Sequence, residues 1–226
     1  MNLPLVFKRQ HLFIHTAAGL WVYDTGSPVT IGETGFNPLN GNAVKFRSMS
    51  DISEFLGVKV VGLIGTDVLN AYDHLIDLRE GHLCLEFSEA KLTCEGRAQS
   101  LDFISLEAGV KPSIPTLRAS VGDQEATYIF DTGAQLSYRI GQKPEGHVPC
   151  TPADDFWLPI GEFNTETYHA QVTLSGFSPS ARFGVPPPLL AQTLNANAVT
   201  GIIGNELMIG RLTGYFPRRR ILTLQS

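Results

Sequence analysis

Short apolar runs separated by polar or glycine-containing turns recur along the whole chain. Residues 12–14 and 20–23 flank a turn at 17–19, and residues 114–121 and 126–130 flank a turn at Gly122. Runs of this length between turn signals are typical of β-strands. Residues 51–56 and 190–195 predict two short helices. The pattern therefore indicates an all-β fold with few short helices.

The tripeptide Asp-Thr-Gly follows an apolar run in each half of the chain. It begins at Asp24, after residues 20–23, and again at Asp131, after residues 128–130. Further on, each copy is followed by two apolar residues and a glycine, ending at Gly65 and Gly204, and the segments around these glycines align without a gap. Two repeats are too few for a solenoid. We therefore predict a duplicated unit with a pseudo-two-fold axis.

The two halves differ by one insertion. In the first half 38 positions separate Asp24 from Gly62, whereas 70 separate Asp131 from Gly201, so the second half has 32 additional residues. They contain apolar runs at 156–160 and 168–174 around a polar stretch at 161–165, which predicts a β-hairpin with its turn in that stretch.

Domain boundaries follow from the duplication. We assign a first lobe to residues 1–90, a polar linker to residues 91–100 and a second lobe to residues 101–226. The first lobe lacks the length for a matching hairpin.

The paired aspartates suggest a specific chemistry. An aspartate directly after an apolar strand lies at the strand end, and the glycine two residues later permits a sharp turn. Two such turns facing each other would bring the carboxyls of Asp24 and Asp131 within a few ångströms, where they share one proton because both cannot easily ionise. One carboxylate could then accept a proton from water while the other donates to a carbonyl. Such a pair hydrolyses a substrate without a metal or a covalent intermediate.

These features resemble the aspartic peptidases of the pepsin and retropepsin clan. The resemblance covers nearly the whole chain and is carried by the two Asp-Thr-Gly sequences and both apolar-apolar-glycine elements. It implies a two-lobed acid-protease fold built from fused retropepsin-like halves, with Asp24 and Asp131 as the catalytic dyad. The residues that it implies as active-site loop support are Thr25, Gly26, Ser27, Thr132, Gly133 and Ala134.

The resemblance has two departures. Pepsin-like enzymes are longer and have their flap on the first lobe, whereas retropepsins are homodimers with a flap on each subunit. This chain resembles a fused retropepsin-like pair that has kept one flap, on the second lobe. We assign the flap to the hairpin around residues 160–165, and its candidate substrate contacts are Trp157, Ile160, Gly161 and Phe163. For Trp157 and Phe163, packing of the hairpin's inner face is an equal alternative.

Three other assignments concern polar side chains. The hydroxyl of Ser27 could hydrogen-bond Asp24, an asymmetry that Ala134 cannot match, although tolerated variation in a turn explains it equally well. Asp73 is interpreted as surface charge. The run from Arg218 to Arg220 is interpreted as a solvated strand edge rather than a binding patch.

Composition limits the partners. Of 226 residues, 43% are hydrophobic and 17% are charged, and a net charge of −5 disfavours nucleic acid and anionic membranes as partners. The chain shows no apolar run of transmembrane length, no leader-like N-terminus and no metal-ligand spacing among its three cysteines. We therefore expect a cytoplasmic protein without cofactor or metal, acting on a peptide or protein substrate as a monomer, with a homodimer as the other possibility.

Two other functions remain open at this point. A non-catalytic peptide-binding module of the same fold is disfavoured by the two intact motifs, since such a module has no physical reason to keep two carboxylates in repulsion. A self-associating regulator, with the shortened first lobe as its interface, is the third hypothesis.

Overall fold

The structure, a computed structural model, describes residues 1–88, 92–106, 111 and 113–225. The predicted boundary between first lobe and linker, at residues 90 and 91, lies outside the described residues. Strands make up 48% of the structure and helices 12%, which confirms an all-β protein with few short helices. No helix in the described ranges is both long and apolar enough to cross a membrane.

The elements are as follows. The strands within the described residues are β1 (Asn2–Lys8), β2 (His11–Thr16), β3 (Gly19–Tyr23), β4 (Ile31–Gly32), β5 (Lys45–Phe46), β6 (Gly62–Ile64), β7 (Asp73–Asp77), β8 (His82–Glu86), β9 (Arg97–Ser100), β10 (Asp102–Ile104), β11 (Ile114–Val121), β12 (Gln124–Phe130), β13 (Ser137–Arg139), β14 (Val148–Trp157), β15 (Gly161–Thr173), β16 (Ser180–Gly184), β17 (Gly201–Ile203), β18 (Leu212–Phe216) and β19 (Ile221–Gln225). The α-helices are α1 (Ser50–Leu56), α2 (Thr66–Leu69) and α3 (Pro188–Ala196), and 3₁₀ helices are formed by Asn205–Met208 and Pro217–Arg219.

The strands form two sheets. The first has the order β5-β4-β6-β3-β2-β1-β8-β7-β18-β19-β9, and the second has the order β10-β11-β12-β17-β13-β16-β15-β14 with an additional β11–β15 pairing. The first sheet takes β18 and β19 from the end of the chain, where β18 pairs with β7 and β19 pairs with β9. The stretch predicted as a linker therefore contributes a strand, β9, at the edge of this sheet.

The strands that lead into the two Asp-Thr-Gly sequences pair in the same way. β3 lies parallel to β6, and β12 lies parallel to β17, with the same register in both pairs. One further hydrogen bond continues each ladder: the amide of Asp24 donates to Ile64 O (3.1 Å), and the amide of Asp131 donates to Ile203 O (3.0 Å). The duplication seen in the sequence is therefore also a duplication of strand pairing.

The glycine at the end of each apolar-apolar-glycine element allows a close backbone approach. A Cβ atom at Gly65 would lie 2.7 Å from Ser27 O, and one at Gly204 would lie 2.7 Å from Ala134 O. No side chain fits at either position. Each Asp-Thr-Gly loop can therefore rest directly on the chain behind it.

Strand alternation divides the core into three clusters. Tyr23 and Phe130 lie in a central cluster to which both halves contribute, whereas Val22 packs into a cluster of the first half and Ile129 into a cluster of the second. Successive side chains of a strand point to opposite faces, so the residue before each aspartate faces the shared core. This shared core brings the two motifs to the same place.

Both predicted helices are present. α1 begins one residue before the predicted segment, and α3 begins at Pro188, where a proline suits the first helical turn because its missing N–H needs no partner there. Each buries two apolar side chains against the cluster of its own half.

The insertion forms the predicted hairpin, but the predicted position of its turn is wrong. The turn between β14 and β15 lies at residues 158–160 and is closed by a hydrogen bond from Ile160 N to Trp157 O (2.9 Å). Residues 161–165 belong to β15, in which exposed side chains alternate with more buried ones. Polar residues on the solvent side of a strand gave this stretch the composition of a turn.

The interpretation of Asp73 as surface charge is wrong, and that of the arginine run as a solvated strand edge holds only for Arg220. Asp73 is 1% exposed and forms ion pairs with Arg218 (3.2 Å) and Arg219 (3.1 Å). These contacts fasten β7 to the turn between β18 and β19. Arg220 is exposed and pairs with the exposed Asp102 (3.4 Å), as expected of a solvated strand edge.

Candidate active site

Each Asp-Thr-Gly sequence forms the same turn. Oδ1 of Asp24 accepts hydrogen bonds from the amides of Gly26 (2.8 Å) and Ser27 (3.1 Å). Oδ1 of Asp131 accepts the matching pair from Gly133 (2.9 Å) and Ala134 (3.1 Å). Two amide donors fix one oxygen of each carboxyl and leave the other free to point away from the turn.

The two threonines lock the turns to one another. The hydroxyl of Thr25 donates to Phe130 O (2.7 Å) and accepts from the amide of Thr132 (3.0 Å). The hydroxyl of Thr132 donates to Tyr23 O (3.1 Å) and accepts from the amide of Thr25 (3.0 Å). Both residues are fully buried, so these four bonds satisfy groups that water cannot reach. The threonines thus hold the motifs in the reciprocal arrangement that a two-fold axis requires.

The two glycines leave room for the carboxyl of the opposite motif. A Cβ at Gly133 would lie 2.6 Å from Cγ of Asp24, and a Cβ at Gly26 would collide with the carboxyl of Asp131. The carboxyls of Asp24 and Asp131 therefore lie within hydrogen-bonding reach of each other. The structure therefore brings together all the residues of both motifs.

The environment of the pair favours retention of a proton. Burial of the carboxyls raises the pKa of both aspartates, and the charge of Asp131 raises the pKa of Asp24 further. The amides of Gly26 and Gly133 oppose this effect because they stabilise the ionised forms. Each aspartate is half-buried as a residue. A carboxyl pair of this kind holds one proton and titrates as a unit.

Ser27 supports its loop without contacting the pair through its side chain. Its hydroxyl donates to Val29 O (2.9 Å), so its one hydroxyl proton is not directed at Asp24. The carbonyl of the equivalent residue, Ala134, accepts a hydrogen bond from the amide of Asn205 (3.0 Å). The hydroxyl that distinguishes Ser27 from Ala134 therefore binds the backbone of its own loop and does not bind the carboxyls.

The β14–β15 hairpin extends from the second half to the first. Trp157 and Phe163 pack against the cluster of the second half. Phe156 and Leu158 pack instead against the cluster of the first half, where Phe156 lies 5.5 Å from the ring of Phe55 in α1. Beside this contact, α1 and the hairpin together line a pocket of about 440 Å³. The hairpin therefore touches both halves.

The remaining two predicted flap residues lie at the turn. Ile160 is 38% exposed, and Gly161 follows it with a φ of +79°. A left-handed residue after a tight turn is a common way to close a short hairpin loop. Ile160 is therefore the residue of the four that presents an apolar side chain to solvent.

The sequence analysis missed a third buried carboxyl beside the pair. Asp155 is 5% exposed and accepts hydrogen bonds from the Tyr138 hydroxyl, from Gln135 Nε2 (3.0 Å) and from the Phe156 amide (2.8 Å). Its charge acts on Asp131 and raises the pKa of that residue. The available signal was an acidic residue directly before an apolar run.

No protein-family model matches the chain, and no curated protein matches it in sequence. Among the residues that the structure describes, no three His, Cys, Asp or Glu side chains form a group that could hold a metal ion. The assignment of function therefore depends on the geometry of the carboxyl pair.

Proposed function

We propose that the chain is an aspartic endopeptidase that hydrolyses peptide bonds with water activated between Asp24 and Asp131. In this proposal the fold is the two-lobed acid-protease fold, with fused retropepsin-like halves and a single flap. The observation that carries the proposal is the reciprocal pair of Asp-Thr-Gly turns, which hold the two carboxyls within hydrogen-bonding reach of each other.

The first half of the reaction adds water to the peptide carbonyl. In this scheme Asp24 holds the shared proton and Asp131 is ionised; burial raises the pKa of both carboxyls, and the pair titrates as a unit. Asp131, the ionised partner, accepts a proton from the bound water as the water oxygen attacks the carbonyl carbon. Asp24 donates its proton to the carbonyl oxygen. The product of this step is a neutral tetrahedral diol, with the proton now on Asp131.

The second half breaks the carbon–nitrogen bond. The amide nitrogen takes the proton from Asp131 as it leaves, and one hydroxyl of the diol returns a proton to Asp24. The products are a carboxylic acid and an amine, and the pair is again singly protonated. The amides that fix one oxygen of each carboxyl would keep the geometry constant through both steps, at no reorganisation cost.

The hairpin supplies the cover that such a reaction needs. An extended peptide in the cleft could add a strand beneath the hairpin through backbone hydrogen bonds. The contacts of Phe156 and Leu158 with the first half would close the cleft from the side of the second. Closure of this kind excludes water and strengthens the electrostatic effect of the pair.

Cleavage of a peptide library, followed by mass spectrometry from acidic to neutral pH, tests the proposal. We expect wild type to cleave and Asp131→Asn to lose at least roughly a thousandfold in rate, because the substitution removes the base. Asp123→Asn, in the exposed turn between β11 and β12, is the matched control and should cleave as wild type. Folded wild type that cleaves nothing at any pH would favour the peptide-binding module instead.

A further inference from the structure

Asp155 is held inside the protein by the loop that carries the second catalytic aspartate. Two of its hydrogen-bond donors, Gln135 and Tyr138, follow Asp131 closely in sequence. Gln135 Nε2 also donates to the carbonyl of Asp154 (2.7 Å), so one amide group binds two neighbouring residues of β14. The hairpin is therefore fastened at this point to the active-site loop of its own half.

The next residue along the hairpin makes the contact with the other half. Phe156 packs beside Phe55 of α1, and its amide is the third donor to Asp155. Asp155 thus lies where the hairpin leaves the second half and reaches across to the first. A break in its hydrogen bonds would free the outer part of the hairpin.

No lysine or arginine is among the described contacts of Asp155. His11, on β2, acts on Asp155 electrostatically and lowers its pKa, but burial lowers the pKa of His11 and so weakens this compensation. The other titratable groups that interact with Asp155 are Tyr138 and Asp131, and an ionised form of either would oppose its charge. The charged side chains beside the outer part of the hairpin are solvent-exposed and hence screened; they are Arg47, Asp51, Glu54 and Glu162.

A buried carboxylate without a cation is unfavourable for stability alone. An asparagine would keep the oxygen that accepts from Gln135 and Phe156 but not the one that accepts from Tyr138, so a carboxyl alone accepts all three bonds, although it adds negative charge beside two carboxyls that already repel each other. The position of Asp155 is therefore better explained by a conformational role than by a packing role.

We propose that Asp155 is a positioning residue that latches the hairpin closed over the Asp24–Asp131 pair, and that release of its bonds to Tyr138 and Gln135 opens the cleft. The consequence for peptide cleavage rests on the proposed function, whereas the latch itself does not. Opening transfers the carboxyl of Asp155 from the interior to water, where its charge is solvated.

The latch has a defined dependence on pH. Burial raises the pKa of Asp155 in the closed form, and exposure on opening returns the pKa to its ordinary range. The closed form therefore binds the proton more tightly than the open form. A rise in pH from the ordinary pKa of an aspartate to the raised pKa of Asp155 in the closed form favours opening, and a fall favours closure.

Amide hydrogen exchange of the hairpin tests the latch without any substrate. We expect Tyr138→Phe, which keeps the buried ring, and Asp155→Asn to raise the exchange rate of residues 156–162 by about tenfold or more after correction for intrinsic rates. Asp123→Asn, in the exposed turn between β11 and β12, makes the same chemical change away from the hairpin; it is the matched control and should exchange as wild type. The double variant should exchange no faster than the faster single one, because both changes break the same bond.

Two results would overturn the latch. One is hairpin exchange in both variants that equals wild type, and the other is an equal increase in Asp123→Asn. A uniform rise in exchange over the whole chain would assign Asp155 a structural role and would also contradict the proposal. If wild type cleaves no peptide, the exchange result still decides the latch, so the two proposals can fail separately.

Kinetics give the second readout. With a cleavable peptide, we expect Tyr138→Phe to raise KM several-fold with a smaller change in kcat, because the closed complex is weakened. Asp155→Asn should also move the alkaline limb of the pH–rate profile to lower pH, because removal of its charge lowers the pKa of the carboxyl pair. An alkaline limb that stays in place or moves to higher pH would contradict the proposed position of this charge.

Discussion

Each residue of the two Asp-Thr-Gly turns has a separate physical task. The aspartate supplies the carboxyl, the threonine joins its turn to the opposite one, and the glycine leaves space for the opposite carboxyl. The tasks of the aspartate and the threonine could be predicted from the sequence because each depends on a residue type at a fixed place in a short turn. The glycine was predicted to permit a sharp turn, and the space that it leaves for the opposite carboxyl was not predicted. The roles of Ser27 and Asp155 could not be predicted, since they depend on neighbours that only the folded chain supplies.

The threonine lock leads to a prediction on stability. Thr25→Val removes a hydroxyl that makes two buried hydrogen bonds and leaves Phe130 O and the Thr132 amide without these partners. We expect a loss of about 3 kcal/mol in the free energy of unfolding, measured in urea. Thr25→Ser keeps the hydroxyl and should lose about 1 kcal/mol. Equal losses in the two variants would show that the hydroxyl bonds contribute little.

The carboxyl pair leads to a second prediction on stability, in which a substitution raises the free energy of unfolding. A raised pKa means that the folded state holds its proton while the unfolded state has lost it, so the pair costs stability as the pH rises above about 4. Asp131→Asn removes the part of this cost that comes from Asp131 and from its repulsion of Asp24, whereas the burial of Asp24 remains. We expect the variant to be more stable than wild type by about 1 kcal/mol or more at pH 7.

Denaturant unfolding at several pH values checks this expectation. The advantage of Asp131→Asn should shrink toward acid pH, where the carboxyls are protonated in both the folded and the unfolded states. An advantage that grows toward acid pH would mean that the pKa of the pair is lowered rather than raised.

At the scale of elements, the hairpin shows what local pattern can and cannot give. Two apolar runs in the insertion were enough to predict a hairpin, but the composition of residues 161–165 misplaced its turn. Gly161 is the cause of the error, because it does mark the turn and yet follows it as the first residue of β15. A glycine at a hairpin can stand inside the loop or just beyond it, and the sequence does not distinguish the two.

Gly161 offers a prediction at the same scale. Its φ of +79° is unfavourable for a residue with a Cβ, although open space surrounds it. We expect Gly161→Ala to destabilise the protein by about 1 kcal/mol through backbone strain alone. Gly35 also has open space but no positive φ, so Gly35→Ala is the matched control and should be neutral or slightly stabilising. Equal thermal midpoints for the two variants would contradict the assigned backbone conformation.

At the scale of the whole molecule, pairings between distant segments join the two halves. The duplication itself, seen in the matching pairs β3–β6 and β12–β17, could be predicted from the repeated motif. The addition of β18, β19 and β9 to the first sheet could not, because no local signal specifies which distant edge a strand will pair with. For the same reason the ion pairs of Asp73 with Arg218 and Arg219 were missed.

A buried histidine in the shared core predicts acid sensitivity of the whole fold. His74 is fully buried; its Nε2 donates to Leu69 O (2.7 Å), and its Nδ1 accepts from the Tyr23 hydroxyl (3.0 Å). Burial lowers the pKa of His74 from 6.5 to about 4. Between pH 6.5 and about pH 4, the unfolded chain therefore binds a proton on His74 that the folded chain excludes. The stability of the fold relative to the unfolded chain decreases as the pH falls through this range.

The expected size of this effect is about 3 kcal/mol between pH 6.5 and pH 4. His74→Gln should be less stable than wild type near neutral pH, and the difference should narrow toward pH 4 by this amount. Urea unfolding of both proteins across that range measures the difference directly. A constant difference would show that His74 titrates alike in the folded and unfolded states.

The most direct test of the proposed chemistry follows the oxygen atom of the attacking water. A peptide that wild type cleaves is dissolved in water enriched in oxygen-18 together with an amine nucleophile. It is then digested separately by wild type, by Asp24→Asn and by Asp131→Asn. We expect wild type to release a product whose new carboxyl carries the label, with no transfer to the amine, and both variants to release none. Transfer to the amine would indicate a covalent acyl intermediate, and undiminished cleavage by either variant would contradict activation of water by the carboxyl pair.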